Sequence, residues 1–275
     1  MYIPVDWHSA ADCLQLVRWL LFLSLTISSL QNISNSPAFG PNGLFAWEFQ
    51  KYAYRENWLE SAAFDITFGQ TGFVWLNLLR IGLLAAGFTG QALPIVLPAL
   101  LLVSAVIYLR AFLPMSGADQ LNTILLFCLI PSTWFPSPAI RALSLCTIAG
   151  QVLICYFSNG LLKSQSWGWF DGSHLKALLQ TGNYSRKWAA RLAANKTQRA
   201  FRLPGSVIVL WELSAVVAPF LPATLLWIFL ATGILFHLTI ALIMGLNTFF
   251  WSYISTYPAI LFTWQLVDHV LRPSN

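Results

Sequence analysis

The sequence predicts an all-α fold: a polytopic transmembrane helix bundle of about eight spans, with amphipathic helices at the interface, forming a single domain over residues 1–275. Three observations carry that prediction. Hydrophobic residues make up 57% of the chain and charged residues only 9%, whereas an ordinary soluble domain is roughly a quarter charged; the mean hydropathy is +0.65. Thirteen tryptophans and eight tyrosines suit the two membrane interfaces, where an amphipathic ring sits at headgroup level. Apolar runs of membrane-spanning length recur along the chain, and in hydrocarbon a helix satisfies its own backbone N–H and C=O groups.

In chain order the runs lie near 12–31, 72–89, 93–113, 121–136, 140–163, 204–218, 221–244 and 247–268. The flank of the first holds Asp6 and Asp12 and no Lys or Arg, and no convincing small-x-small cleavage site follows, so it reads as a retained helix rather than a signal peptide. Residues 32–71 carry Glu48, Glu56, Glu60 and Asp65 beside Lys51 and Arg55, interleaved with Trp47, Tyr52, Tyr54 and Trp58. That mixture predicts an amphipathic segment lying on the surface. Only Thr89-Gly-Gln-Ala-Leu-Pro94 separates the second and third runs, which allows a tight hairpin and nothing longer. The fourth run is short and ends among Pro131, Pro136 and Pro138, as expected of a broken or partly re-entrant helix. Pro219, Pro222 and the polar break near Asn247 divide the last stretch into three.

Charge is concentrated in one connection. Of 15 basic residues, eight (Lys163, Lys176, Arg186, Lys187, Arg191, Lys196, Arg199 and Arg202) fall between 163 and 202, against the single acid Asp171. The positive-inside rule places that connection in the cytoplasm and, with eight spans, both termini on the other side. Within it, Leu175, Leu178, Leu179, Trp188, Leu192 and Ala193 stand at partly helical spacing, interrupted at Gly182-Asn183. Either it is a solvated loop that fixes topology, or an interfacial helix pair offering Arg186, Lys187 and Arg191 to anionic headgroups or a peptide. The bilayer is the expected partner, and no nucleic acid is expected.

Cys13, Cys128, Cys146 and Cys155 all fall in apolar runs without Cys-x-x-Cys or zinc-type spacing, so neither a disulfide framework nor a metal is expected. Asn32-Ile-Ser34, Asn183-Tyr-Ser185 and Asn195-Lys-Thr197 match the glycosylation tripeptide, a match frequent by chance.

Ionisable residues inside the runs carry more information, because each is costly in hydrocarbon and faces a partner or a cavity. They are Arg18, Arg80, Lys163, Glu212 and His237, with Arg110, Arg141 and Asp268 nearer the ends. Glu212 is the only acid well inside a run. Its simplest role is an ion pair with Arg80 or Arg18 that pins one helix to another, and Lys163 is a third candidate. His237 is followed by Ala241, Met244 and Thr248 on one helical face, suited to close packing or to lining a pocket. Lys163 stands where Tyr156-Phe-Ser-Asn-Gly-Leu-Leu-Lys163 gives way to Ser-Gln-Ser-Trp-Gly-Trp-Phe-Asp-Gly172. Either its stem snorkels to the headgroups beside Trp167 and Trp169, or, held in an apolar setting, it gives up its proton and serves as a base.

The blocks Ser158-Asn-Gly-Leu-Leu-Lys163 with Trp169-Phe-Asp-Gly172, and Leu235-Phe-His-Leu-Thr-Ile-Ala-Leu-Ile-Met-Gly-Leu246 leading to Phe249, Phe250 and the Tyr253–Phe262 stretch, resemble the HTTM (horizontally transferred transmembrane) domain. This is the membrane part shared by vitamin K-dependent gamma-carboxylases and their bacterial relatives. Arg80-Ile-Gly-Leu-Leu-Ala-Ala-Gly-Phe-Thr-Gly90 is a weaker third match. The resemblance implies that Lys163 occupies the position of the base that deprotonates a reduced quinone, and that His237, with Trp169, Asp171 and Asn159, lines a pocket. Two departures stand against a carboxylase. A histidine those enzymes carry near the position of Ala118-Asp-Gln-Leu-Asn-Thr123 is absent, and no large substrate-holding domain follows before Asn275. The build is closer to the sporulation-delaying protein B group, which implies an integral protein of a bacterial plasma membrane assisting maturation or export of a secreted peptide or a second membrane protein. The alternative is a membrane enzyme with Lys163 acting as base on a quinol or a peptide.

Overall fold

Long apolar runs, with few groups able to compete for the backbone, leave the i to i−4 ladder as the way to satisfy each peptide unit, and helix is the regular structure the chain adopts. The computed structural model describes residues 7–54, 62–90, 92–111, 116–181 and 185–271, and its elements among these residues are all helical. They are α1 Trp7–Ser34, α2 Trp47–Tyr54, α3 Ala62–Phe68, α4 Gln70–Phe88, α5 Leu93–Arg110, α6 Gly117–Trp134, α7 Pro138–Ser164, α8 Trp167–Phe170, α9 Ser173–Gln180, α10 Lys187–Asn195, α11 Arg202–Ser214, α12 Ala223–Met244, α13 Asn247–Ile254 and α14 Tyr257–Leu271. Short 3-10 turns at Ser36–Phe39, Gln198–Phe201 and Ala215–Phe220 join them.

Among the described residues, six stretches are long and apolar enough to cross a membrane: Ala10–Ser34, Gln70–Phe88, Leu93–Arg110, Pro138–Ser164, Gln198–Phe220 and Ala223–Met244. They account for six of the eight expected runs. The run at 121–136 lies in α6, which opens on Gly117-Ala-Asp-Gln120 behind a Ser116/Asp119 capping box. α6 passes through Pro131 unbroken and stops at Trp134, because Pro136 pushes Phe135 out of helical geometry (φ −127°, ψ 74°). The run at 247–268 is divided between α13 and α14 at Ser255-Thr256.

The chain groups into two compact units, one of Arg18–Ile140 and one of the chain up to Val17 with Arg141 onward. In the first, α4 and α5 form the expected hairpin, with Gly90 (φ 77°) and Ala92 (φ 52°) turning the chain. Polar side chains stitch its helices. Arg80, fully buried on α4, donates to Ser29 Oγ at 2.7 Å and Ser28 Oγ at 3.1 Å on α1; Asn32 Nδ2 reaches Asn77 Oδ1 at 3.1 Å, and Asn122 Nδ2 of α6 reaches Ser24 Oγ at 3.2 Å.

Arg110, at the end of α5 and also fully buried, gathers the connection between α1 and α4. It donates to the carbonyls of Phe68, Phe39 (3.1 Å) and Phe45 (2.9 Å) and to Gln50 Oε1 (2.6 Å), and faces the rings of Phe39, Trp47 and Phe73. Within 32–71, expected to be an amphipathic segment on the surface, the described residues include α2 and α3, with Trp47 Nε1 donating to Asp65 Oδ1 at 2.8 Å. Arg55, Glu56, Trp58 and Glu60 lie outside the described residues.

In the second unit buried polar residues lie on α7 (Ser144), α11 (Glu212), α12 (His237) and α13 (Ser252), with Ser255 and Thr256 at the break before α14, while α9 and α10 are the helices found within 174–200. The Gly182-Asn183 interruption, and with it Asn183 of the second glycosylation tripeptide, lies outside the described residues.

Candidate functional site

On α7, Tyr156, Gly160 and Lys163 stand at i, i+4 and i+7 and share one face. Gly160 sets the spacing to α11. A Cβ there would lie 2.8 Å from the Leu213 backbone nitrogen and 2.9 Å from Glu212 Cβ, so only a residue without a side chain lets the two helices approach this closely. One turn on, Lys163 Nζ meets Glu212 Oε1 at 2.5 Å. The Glu212 side chain is 4% exposed and that of Lys163 24%. Trp169 of α8 presents its ring to the ammonium, with Nζ 5.2 Å from the ring centroid. α8 is held by α11, since a Cβ on Gly205 would strike the Trp169 carbonyl at 2.2 Å.

This pairing corrects the expectation that Glu212 meets Arg80 or Arg18. A carboxylate in hydrocarbon takes the cation its own helix packing delivers, and the Gly160 contact delivers Lys163. Arg80 instead donates to Ser28, Ser29 and Asn77.

Toward the middle of α7 lies a second cluster. Tyr156 Oη and His237 Nε2 are 2.7 Å apart, and His237 stacks on Tyr253 with centroids 4.3 Å apart and planes 16° from parallel. Trp211, beside Glu212 in sequence, packs edge-on to Tyr156 and donates its indole N–H to the Phe229 carbonyl at 3.3 Å. Gly233, one turn before His237, makes room for Trp211 and Tyr257. His237 is 2% exposed. Its Nδ1 and Glu212 Oε2 are buried without a hydrogen-bond partner, the kind of polar atom that a folded protein rarely leaves unsatisfied.

Asp171 and Asn159 stand apart from this core. Asp171 Oδ1 accepts the Ser173 N–H at 2.8 Å at the start of α9, and that bond holds its carboxyl below the usual carboxylate range. Its carbonyl takes Gln198 Nε2 at 3.2 Å and Arg202 Nε at 3.4 Å. Gly172 follows in the left-handed region (φ 83°), where a side chain would also meet the backbone of Gln198 and Arg202. Asn159 is exposed on α7, with Nδ2 3.9 Å from Cys155 Sγ. A cavity of about 270 Å3 against α9 and α10 is lined by none of Lys163, His237, Trp169, Asp171 or Asn159.

The structure therefore brings together Lys163, Trp169 and Glu212, and places His237 next to them through Tyr156 and Trp211. Tyr156, Trp211 and Tyr253 were not among the expected site residues; for Tyr156 the signal available was the i, i+4, i+7 spacing that ends on Lys163. Chemically, one cluster is an amine and a carboxylate sharing a short contact, and the other a phenol and an imidazole doing the same. Among the described residues no three His, Cys, Asp or Glu side chains are placed to hold a metal ion. The chain has no significant match to a family model, a curated protein or a solved structure.

Proposed function

We propose that this chain is an integral membrane protein that assists maturation or export of a secreted peptide or a partner protein, similar in build to the sporulation-delaying protein B group of HTTM relatives. In this reading it is a bacterial plasma-membrane protein whose α6 and α13–α14 complete a set of about eight spans, with α2, α3, α9 and α10 at the interfaces. The observation that carries the reading is the Lys163–Glu212 contact at 2.5 Å. An ammonium engaged by a buried carboxylate and faced by an indole is a helix-to-helix tie, and both partners are needed for the tie to be tolerated in hydrocarbon. The arrangement weighs against a reduced quinone as substrate, because the amine that would take its proton is engaged by Glu212 and Trp169 stands over it.

One observation favours the second reading, a membrane enzyme with Lys163 as base toward a quinol or a peptide: Glu212 Oε2 and His237 Nδ1 both lack partners, as reactive groups awaiting substrate do. Substituting the lysine separates the two. The gene is deleted in its native host, the secreted peptides are profiled by mass spectrometry, and the parent, Lys163→Arg and Lys163→Ala are restored at matched membrane abundance. Arg keeps the charge and the pairing but does not release its proton. The maturation reading expects Lys163→Arg to restore the missing mature peptide and Lys163→Ala to fail. An arginine variant as dead as the alanine one overturns that reading and supports the base.

A further inference from the structure

Seven of the 15 basic residues lie between Asp171 and Glu212, where there is no acid, and this stretch folds around an apolar cavity of about 270 Å3. Leu179 of α9, Trp188 and Leu192 of α10, Phe201 of the 3-10 turn and Ile243 of α12 form its wall, and Lys196 at the end of α10 is the charged side chain in its lining. Trp188 and Leu192 stand four residues apart on one face of α10, and Lys196 follows just past the helix end in extended geometry (φ −102°, ψ 147°). Trp188 is 53% and Leu192 54% exposed, and Lys196 is exposed as well, so the cavity opens to the outside along these lining residues.

The wall is tied from both sides. The Arg186 N–H donates to the Ile243 carbonyl at 2.9 Å, fixing the start of α10 on the end of α12, and Gln198 and Arg202 hold the 3-10 turn on the Asp171 carbonyl. The lining offers water few of the polar partners that an ordered molecule needs. The volume falls just under the range of small-molecule sites, enough for a length of hydrocarbon chain. Lys196 lies in the lining, and the same stretch of chain carries Arg186, Lys187, Arg191 and Arg199 with no acid, a net positive charge that favours a negative headgroup.

We propose that this cavity holds a segment of one acyl chain of an anionic phospholipid of the surrounding bilayer, with Lys196 taking the phosphate. The assignment does not depend on whether the protein matures a peptide or catalyses a reaction. It is tested on the purified full chain in nanodiscs doped with phosphatidylglycerol or phosphatidylcholine, each carrying a photoactivatable diazirine in one acyl chain, with adducts mapped by peptide mass spectrometry. Adducts are expected on the Trp188–Phe201 stretch and around Ile243, roughly fivefold more abundant with the glycerol lipid for one engaged cation. Ala200→Trp, at an exposed position of the lining, fills the space and removes these adducts. Lys196→Glu, at an exposed helix end, brings the glycerol lipid down to the choline level and reads the headgroup even if the tryptophan variant misfolds. Equal labelling by the two lipids in the parent, adducts confined to the outer faces of the spans, or Lys196→Glu labelled like the parent would overturn the proposal.

Discussion

Lys163 and Glu212 are coupled by mutual need: each is an ion whose cost in the membrane falls only when the other is present. Glu212→Gln leaves the ammonium against a neutral amide. With Lys163 about a quarter exposed and so partly served by solvent and headgroups, the loss in stability is expected to be on the order of 2 kcal/mol, read as a lower unfolding temperature in detergent. The double variant Lys163→Met with Glu212→Leu is expected to recover most of it; a double variant no better than Glu212→Gln would show that the pair is not the source of the loss. Asp171 gives a pH dependence of known sign. Its depressed pKa means that the Ser173 N–H bond stabilises the start of α9 above the ordinary carboxylate range and is lost as the pH falls through the lowered value. Compared with Asp171→Asn, the parent should protect the Ser173 amide from hydrogen exchange at neutral pH, and the ratio of the two rates should approach unity as the pH falls through the lowered value.

At the scale of helices, one glycine governs the site. Gly160→Val forces a side chain against the Leu213 backbone, which cannot swing aside as a flexible side chain does. Separation of α7 from α11 is expected to cost about 1–3 kcal/mol and to lower membrane abundance, and Glu212 should lose its contact with Lys163. A parent-like melting temperature in Gly160→Val would show that the close approach is dispensable. Gly160 was visible in the sequence as part of the Ser158–Lys163 block, but its partner α11 lies some fifty residues on, and nothing local announces which helix a glycine faces. The opposite case is α6. Pro131 and Pro136 predicted a broken helix, yet only Pro136 ends it; a membrane helix tolerates the proline whose lost hydrogen bond neighbours make good.

For the molecule as a whole, Arg110 restrains its unit over long sequence distances, since one guanidinium closes four hydrogen bonds to segments 42 to 71 residues away in sequence. Lysine keeps the charge but lacks the planar fork. Arg110→Lys is expected to destabilise by at least about 3 kcal/mol, from hydrogen bonds to a charged group worth about 1.5–3 kcal/mol each, and to speed proteolysis within 36–69 while leaving the 141–271 region as resistant as in the parent. Uniform sensitivity along the chain would contradict a local role. The two expected runs outside the six long apolar helices found among the described residues differ from those six in build. Runs at 121–136 and 247–268 are apolar enough to count, but one opens on a polar capping box and the other is divided into two helices.

The sequence by itself determined the class of structure, because apolar composition and run length decide between solvent and bilayer, and the bilayer leaves little but helix. It also marked the residues worth following, Lys163, Glu212, His237, Arg80 and Arg110, because an ionisable group in an apolar run is rare and costly. Which of these would meet was decided by tertiary structure alone. Glu212 had three candidate cations and Coulomb attraction does not choose among them by sequence distance; the close approach at Gly160 did. Tyr156, Trp211 and Tyr253 read as ordinary interface or core aromatics until the packing of α7, α11, α12 and α13 enclosed His237 between them. Pairing is set by which helix faces touch, and that is a property of the folded chain.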